Sequence, residues 1–113
     1  MTAGEAVARA DALLPNAIGE AEKLRWLETL DSLLAAETDL TAPATPYTAQ
    51  TALPVAGAHE ECYLHWLQAK TLYFQGEYTR YQNAMNQFNS AYLALTAEQI
   101  RTGDPKPPAP RRY

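Results

Sequence analysis

The chain is poor in the residues that carry chemistry. It has one cysteine, Cys62, and two histidines, His59 and His65. A lone cysteine cannot close an internal disulfide, and a reducing compartment is the simplest expectation. No apolar stretch approaches the ~20 residues of a membrane-spanning helix. The opening residues MTAGEAVARADALLPN lack a basic region leading into an apolar run, so no secretory signal is expected and the protein is expected to be soluble. Basic residues are scarce too. Nine Lys and Arg stand against 13 Asp and Glu, for a net charge of −4. That balance argues against a nucleic-acid binder with a broad basic face.

Motifs of catalysis are missing. There is no G-x-S-x-G, no phosphate-binding Gly-rich loop and no HExxH. The nearest approach to a metal-ligand set is His59-x-x-Cys62-x-x-His65. On a helix its first and last members diverge by about 120°, and structural zinc sites use tighter paired motifs. No enzyme activity, metal or cofactor is expected. Aromatics interleaved with basic residues can stack on single-stranded nucleic acid. Here the aromatics stand among amides and acids, with only Lys70 and Arg80 nearby.

What is abundant is apolar and aromatic surface. Hydrophobic residues make up 47% of the 113, which fits one folded domain. Five of seven tyrosines, one of two tryptophans and both phenylalanines fall between Tyr63 and Tyr92. The charge is uneven as well. Residues 1–61 hold Arg9, Lys23 and Arg25 against ten Asp and Glu, a net of −7. Residues 102–113 hold Lys106, Arg111 and Arg112 against Asp104, a net of +2. An acidic body with a short basic tail points to contact partners rather than a substrate.

Periodicity predicts an all-α, four-helix domain over residues 1–101. The first helix spans residues 4–14 and stops at Pro15, since the residue before a proline resists the α conformation. Pro15-Asn16 reads as a turn. The second helix runs from Glu20 to Ala36 on a stripe of Leu24, Leu27, Leu30 or Asp31, and Leu34, widened by Trp26 and Leu33. Glu20 and Glu22 suit the positive end of its dipole. Residues 37–57, with three prolines and five threonines, read as a long loop with one short extended piece near Tyr47, and loops of that length are commonly functional or disordered.

The third helix spans His59 to Gln75. Tyr63, Trp66, Leu67, Tyr73 and Phe74 make one broad face, while Leu64 and Leu72 fall outside it. Such a helix is buried on more than one side. Gly76 marks an αα-hairpin or, alternatively, a kink in a single helix. The fourth helix spans Glu77 to Arg101. Its Tyr78, Tyr81, Met85, Phe88, Tyr92 and Leu95 form a heptad seam that meets a partner helix, either the third helix or another chain. From Tyr81 to Ala97 it carries no charge. Gln82, Asn83, Asn86, Gln87, Asn89 and Ser90 fill its polar side, as in a protein contact that avoids desolvating ions or as a merely neutral surface. After Arg101 the segment TGDPKPPAPRRY excludes helix and favours an extended, polyproline-like arm over 102–113. It reads as a disordered end or as an arm docking through Arg111, Arg112 and Tyr113.

Candidate core residues are therefore Leu24, Trp26, Leu27, Leu67, Phe74, Met85 and Phe88. Candidate interface residues are Tyr63, Trp66, Tyr73, Tyr78, Tyr81, Asn86, Asn89, Tyr92, Arg111, Arg112 and Tyr113.

Two blocks resemble a known family. LPNAIGEAEKLRWLETLD, with Pro15, Asn16, Lys23, Trp26 and Leu27, is similar to the opening of the small head–tail connector (head-completion adaptor) proteins of tailed phages and prophages. CYLHWLQAKTLYFQGEYTRYQNAMNQFNSAY is similar to that family's Tyr-rich helix, Gly-Glu break and following helix. The matching positions are Tyr63, Ala69, Tyr73, Gly76, Glu77, Tyr81, Phe88 and Asn89. The resemblance covers residues 10–101. Within it the loop 37–57 departs in being unusually rich in Ala, Thr and Pro, and the proline-rich tail after Gly103 is not matched.

It implies a structural virion protein, assembled in the host cytoplasm into a ring of about twelve subunits beneath the portal. Its partners would be the portal protein, a neck or tail-completion protein, its own copies, and DNA passing through the lumen without sequence-specific contact. No membrane is involved. On that reading the acids, such as Glu60 and Glu61 or Asp31 and Glu37, would face the lumen and repel the DNA backbone. The alternative is a small helical binding module, such as a regulator, that captures a partner helix in an aromatic groove.

Overall fold

The computed structural model describes residues 1–102, with side chains through residue 98. Four helices follow one another: α1 (Ala3–Leu13), α2 (Glu20–Glu37), α3 (Glu61–Phe74) and α4 (Tyr78–Thr102). A 3-10 turn at Gly57–His59 precedes α3, so α3 begins two residues later than expected. The all-α expectation holds. The proline-rich arm, including Arg111, Arg112 and Tyr113, lies outside the described residues.

Each helix end has a local cause. Thr2 caps α1: its Oγ1 accepts from the Glu5 N–H at 3.2 Å, and the Glu5 carboxylate accepts from the Thr2 N–H at 2.8 Å. This reciprocal capping box satisfies two otherwise orphaned donors. At the other end Asn16 holds the turn after Pro15. Its amide donates to the Leu14 carbonyl at 2.8 Å and its oxygen accepts from the Ile18 N–H at 3.0 Å. Thr38 closes α2 by donating its hydroxyl to the Leu34 carbonyl at 2.6 Å. Gly76, with φ +78°, takes the left-handed conformation that lets α3 end and α4 turn back.

The third helix is the centre of the domain. It touches α1, α2 and α4, and Cys62, Tyr63, Leu64, Leu67, Ala69, Thr71 and Leu72 are all buried along it. Leu64 and Leu72, outside the aromatic face, are thus covered by other neighbours, as burial on several sides requires. The α4 seam runs back along α3: Tyr73 meets Tyr81 and Trp66 meets Phe88. Phe88 and Leu95 are buried and Met85 is partly covered against the core. The heptad pattern is therefore satisfied largely inside one chain. Gly76 forms an αα-hairpin rather than a kink.

The loop between α2 and the 3-10 turn is a packed strap. Tyr47, Leu53 and Val55 are buried in the core. Its carbonyls receive the first free N–H groups of α1: Ala3 donates to Thr51 at 2.8 Å and Gly4 to Ala49 at 2.9 Å. Leu53 donates to the Met1 carbonyl at 3.1 Å, and Thr2 and Ala52 form an isolated antiparallel bridge. The extended piece thus lies at Thr51–Leu53 rather than near Tyr47. A Cβ on Gly4 would meet Ala49 at 2.9 Å, so glycine permits this close approach. Three apolar anchors at irregular spacing carry no period, yet they suffice to bury the strap.

Candidate functional site: an aromatic corner and an uncharged helix face

At the end of α3 the aromatics leave the core. Tyr73, Phe74 and Tyr78 are 55, 63 and 60% exposed. The Tyr73 ring stands edge-on to Tyr78 at 5.7 Å and to Tyr81 at 5.1 Å. Edge-to-face rings at these distances attract through their quadrupoles. Phe74 turns the other way and tilts against Trp26 at 6.2 Å. Beside it lies a shallow, open groove lined by Ala17, Ile18, Gly19, Glu22 and Gln75. This corner sits where the α3–α4 turn projects past the core.

The outer face of α4 continues from it. Gln82, Asn83, Asn86, Gln87, Asn89, Ser90, Leu93 and Ala94 are exposed, and Leu93 is 68% open. No charged side chain interrupts residues 81–97. The face offers amide donors and acceptors with little desolvation penalty.

Three expected interface residues are used within the chain instead. Tyr63 is fully buried. Its hydroxyl donates to Asp31 Oδ1 at 2.8 Å and accepts from the Val55 N–H at 3.1 Å. Trp66 is half-buried; its Nε1 donates to the Trp26 carbonyl at 2.7 Å, joining α3 to α2. Its ring meets Phe88 at 4.9 Å and lies 5.4 Å beneath the Lys70 ammonium. Tyr92 donates its hydroxyl to Glu37 at 2.7 Å, and burial followed by that bond raises its pKa. Tyr73, Tyr78, Asn86 and Asn89 remain exposed, and Tyr81 is half-covered. Among the expected core residues, Leu24, Trp26, Leu27, Leu67 and Phe88 are buried and Met85 partly so. Phe74 is the exception. It shares the wheel face of Tyr63 and Leu67, but it is the last residue of α3, where only one side of its ring is covered, by Trp26 of α2.

A buried polar cluster went unrecognised in the sequence. Asp31, 1% exposed on the apolar stripe of α2, accepts from Tyr47 at 2.6 Å and from Tyr63 at 2.8 Å. Burial pushes its pKa up, and the two hydroxyl bonds only partly offset this. Both tyrosines are pushed above their usual range by the same burial and by the Asp31 carboxylate. The Cys62 thiol is pushed up to about 12, by burial first and then by Asp31. It is thus a poor nucleophile or thiolate ligand. Among the described residues no three His, Cys, Asp or Glu side chains could hold a metal ion, and no helix is long and apolar enough to cross a membrane. The sequence signal was an aspartate at a stripe position.

A second buried charge, Lys23, reaches Asp11 at 2.6 Å, and Asn16 donates to the same carboxylate oxygen at 3.2 Å. The PN-turn and the Lys-x-x-Trp element are therefore one connected unit. The expected lumen acids divide. Asp31 is buried and cannot face a channel, Glu60 is half-buried against the Met1 ammonium at 2.9 Å, and Glu37 and Glu61 are exposed.

Set beside known proteins, the chain matches no protein-family model, no curated protein and no solved structure.

Proposed function

We propose that the protein is a structural connector of a tailed-phage virion. Copies would pack side by side beneath the portal, continue its DNA channel and present a surface to the next neck or tail component. The observation that carries this reading is the exposed, uncharged face of α4, which adjoins the aromatic corner on an otherwise acidic chain. A surface exposed only to water gains nothing from omitting charge over so long a stretch. A contact between like-charged copies gains a great deal, because each ion left out is one fewer to desolvate. The order and spacing of the two sequence blocks support the same reading. Its partners are then the portal, a neck or tail-completion protein and further copies of itself. Exposed acids such as Glu37 and Glu61 would line the DNA path. No catalytic role is proposed.

The test is direct. The purified chain is mixed with portal rings and imaged by electron microscopy. The expected result is an added ring with the portal's rotational symmetry. Failure to bind any portal while remaining a monomer would remove the reading. The groove beside Phe74 supports one other role, capture of a partner's apolar helix. A one-to-one complex with such a helix, and no ring, would favour it.

A further inference from the structure

The aromatic corner lacks a cover within the described residues. Tyr73, Phe74 and Tyr78 are each more than half exposed, and Tyr81 extends the row. The three tyrosine rings pack edge to face and form one aromatic ridge, with the shallow groove beside Phe74 next to it. Glu77 and Arg80 are exposed within this row, and Glu22, which lines the groove, pairs with Arg25 at 3.5 Å. An aromatic ridge beside a groove is a surface that holds a polyproline segment. Pyrrolidine rings stack on the aromatic faces, and the three-residue period brings every third residue to the same edge.

This chain carries such a segment. In DPKPPAPRRY, Pro105 and Pro108 are three apart, and so are Pro107 and Pro110. Arg111 and Arg112 follow directly. Lys106, Arg111 and Arg112 against Asp104 give residues 103–113 a charge of +2, whereas twelve acids and six bases give residues 1–102 a charge of −6. The arm and the rest of the chain are thus of opposite sign, which favours their association at long range.

Reach decides which copy is served. Tyr78 and Thr102 begin and end α4, so they stand roughly 36 Å apart at 1.5 Å per residue. Pro107 lies five residues beyond Thr102, and five residues span at most about 18 Å. A chain cannot lay its own proline core on its own corner. We infer that residues 105–112 of one copy dock on the Tyr73–Phe74–Tyr78–Tyr81 corner of a second copy. The contact is head-to-tail: each copy offers one arm and one corner, and growth stops only where a ring closes. This holds whether or not the protein is a phage connector.

Sedimentation of the full chain up to about 1 mM tests it, covering the affinity range of weak peptide contacts. Two variants are needed: Tyr73→Ala with Tyr78→Ala, which removes the corner, and Pro107→Ala with Pro108→Ala and Pro110→Ala, which removes the arm. Tyr73 and Tyr78 are both more than half exposed, and circular dichroism checks that both variants fold. The wild type is expected to self-associate with rising concentration, and each variant alone at least about tenfold more weakly. An equimolar mixture regains association but stops at dimers, because only one working arm and one working corner remain per pair. A wild type that stays monomeric would overturn the proposal. So would association that survives either variant, or a mixture that fails to recover. Loss of portal binding with these contacts intact would instead count against the connector reading alone.

Discussion

Tyr63 and Tyr78 sit on the same helical hairpin, fifteen residues apart in one aromatic-rich stretch, yet they do opposite things. The Tyr63 ring is sealed in the core and its hydroxyl is bonded twice, to Asp31 and to the Val55 N–H. Tyr78 is 60% exposed and its ring stands edge-on to Tyr73. Tyrosine has an apolar body and a polar tip. Where the tip finds a buried partner, the residue is a strut; where it meets water, the ring is free to meet another molecule. The partner of the strut is the aspartate on α2, so the fate of a tyrosine on α3 was decided by a residue thirty-two positions earlier.

The largest break of this contrast is truncation. Tyr63→Ala leaves a core cavity, an orphaned Val55 N–H and an aspartate short of one donor. About 5 kcal/mol of stability should be lost, close to the whole of a small domain's reserve. Tyr78→Ala should change stability by less than about 1 kcal/mol. Urea unfolding followed by tryptophan emission measures both, and equal losses would dissolve the distinction. Tyr63→Phe keeps the ring and removes only the hydroxyl. Its expected cost is about 2 kcal/mol, that of an unsatisfied buried amide and a weakened carboxylate site.

Gly76 makes the turn on which the exposed corner is built, and replacing it is the next smaller perturbation. Its φ of +78° strains any residue with a Cβ, although no neighbour lies within 4 Å to clash. Gly76→Ala should therefore cost about 1 kcal/mol from backbone strain alone. Because the corner is built from both sides of this turn, the Tyr73–Tyr81 contact should loosen, visible as sharper and less dispersed ring resonances. An unchanged spectrum would mean the corner is held by α3–α4 packing further along.

Much of the fold was legible because it rests on local rules. Pro15, the Leu24–Leu34 stripe and Gly76 place the helices within a few residues of where they stand. The heptad seam named its partner face correctly, since Phe88 and Leu95 do meet the core. What stayed hidden is long-range. Asp31 was visible as an odd residue on a stripe, but nothing local announces that Tyr47 and Tyr63 converge on it. The strap 37–57 reads in sequence only as a long loop, functional or disordered, because Tyr47, Leu53 and Val55 follow no period. Phe74 was misplaced because a helical wheel gives direction but not depth along the axis. The exposed corner was half legible: Tyr73, Tyr78 and Tyr81 belong to the expected interface, Phe74 was placed in the core, and Tyr63, Trp66 and Tyr92, grouped with the corner, are bonded within the chain.

The buried side of the comparison is sharpened by pH. Burial raises the Asp31 pKa above its usual 3.8, so the folded chain takes up this proton before the unfolded chain does. Stability contributed by Asp31 therefore rises as pH falls through its folded value toward 3.8, and is lost again as pH climbs back through it. Glu5, held down chiefly by the Thr2 bonds, acts in the opposite sense. The difference between wild type and Asp31→Asn isolates the aspartate. That difference should move in favour of the wild type as pH is lowered from neutral toward 4, in parallel urea titrations. A flat difference would mean that the two tyrosine hydroxyls fully compensate the burial of the charge.

The smallest effect is the most discriminating. Tyr73→Phe and Tyr78→Phe remove hydroxyls from rings that are more than half exposed. Neither should shift stability by more than about 0.5 kcal/mol, against about 2 kcal/mol for the same single-atom change at Tyr63. If the exposed hydroxyls serve a partner, their loss appears only in association: the monomer is unchanged while self-association or portal binding weakens. The rings that pack against prolines would remain, so the phenylalanine pair should bind better than the alanine pair. A phenylalanine pair as weak as the alanine pair would show that hydrogen bonding, rather than ring stacking, governs what the corner holds.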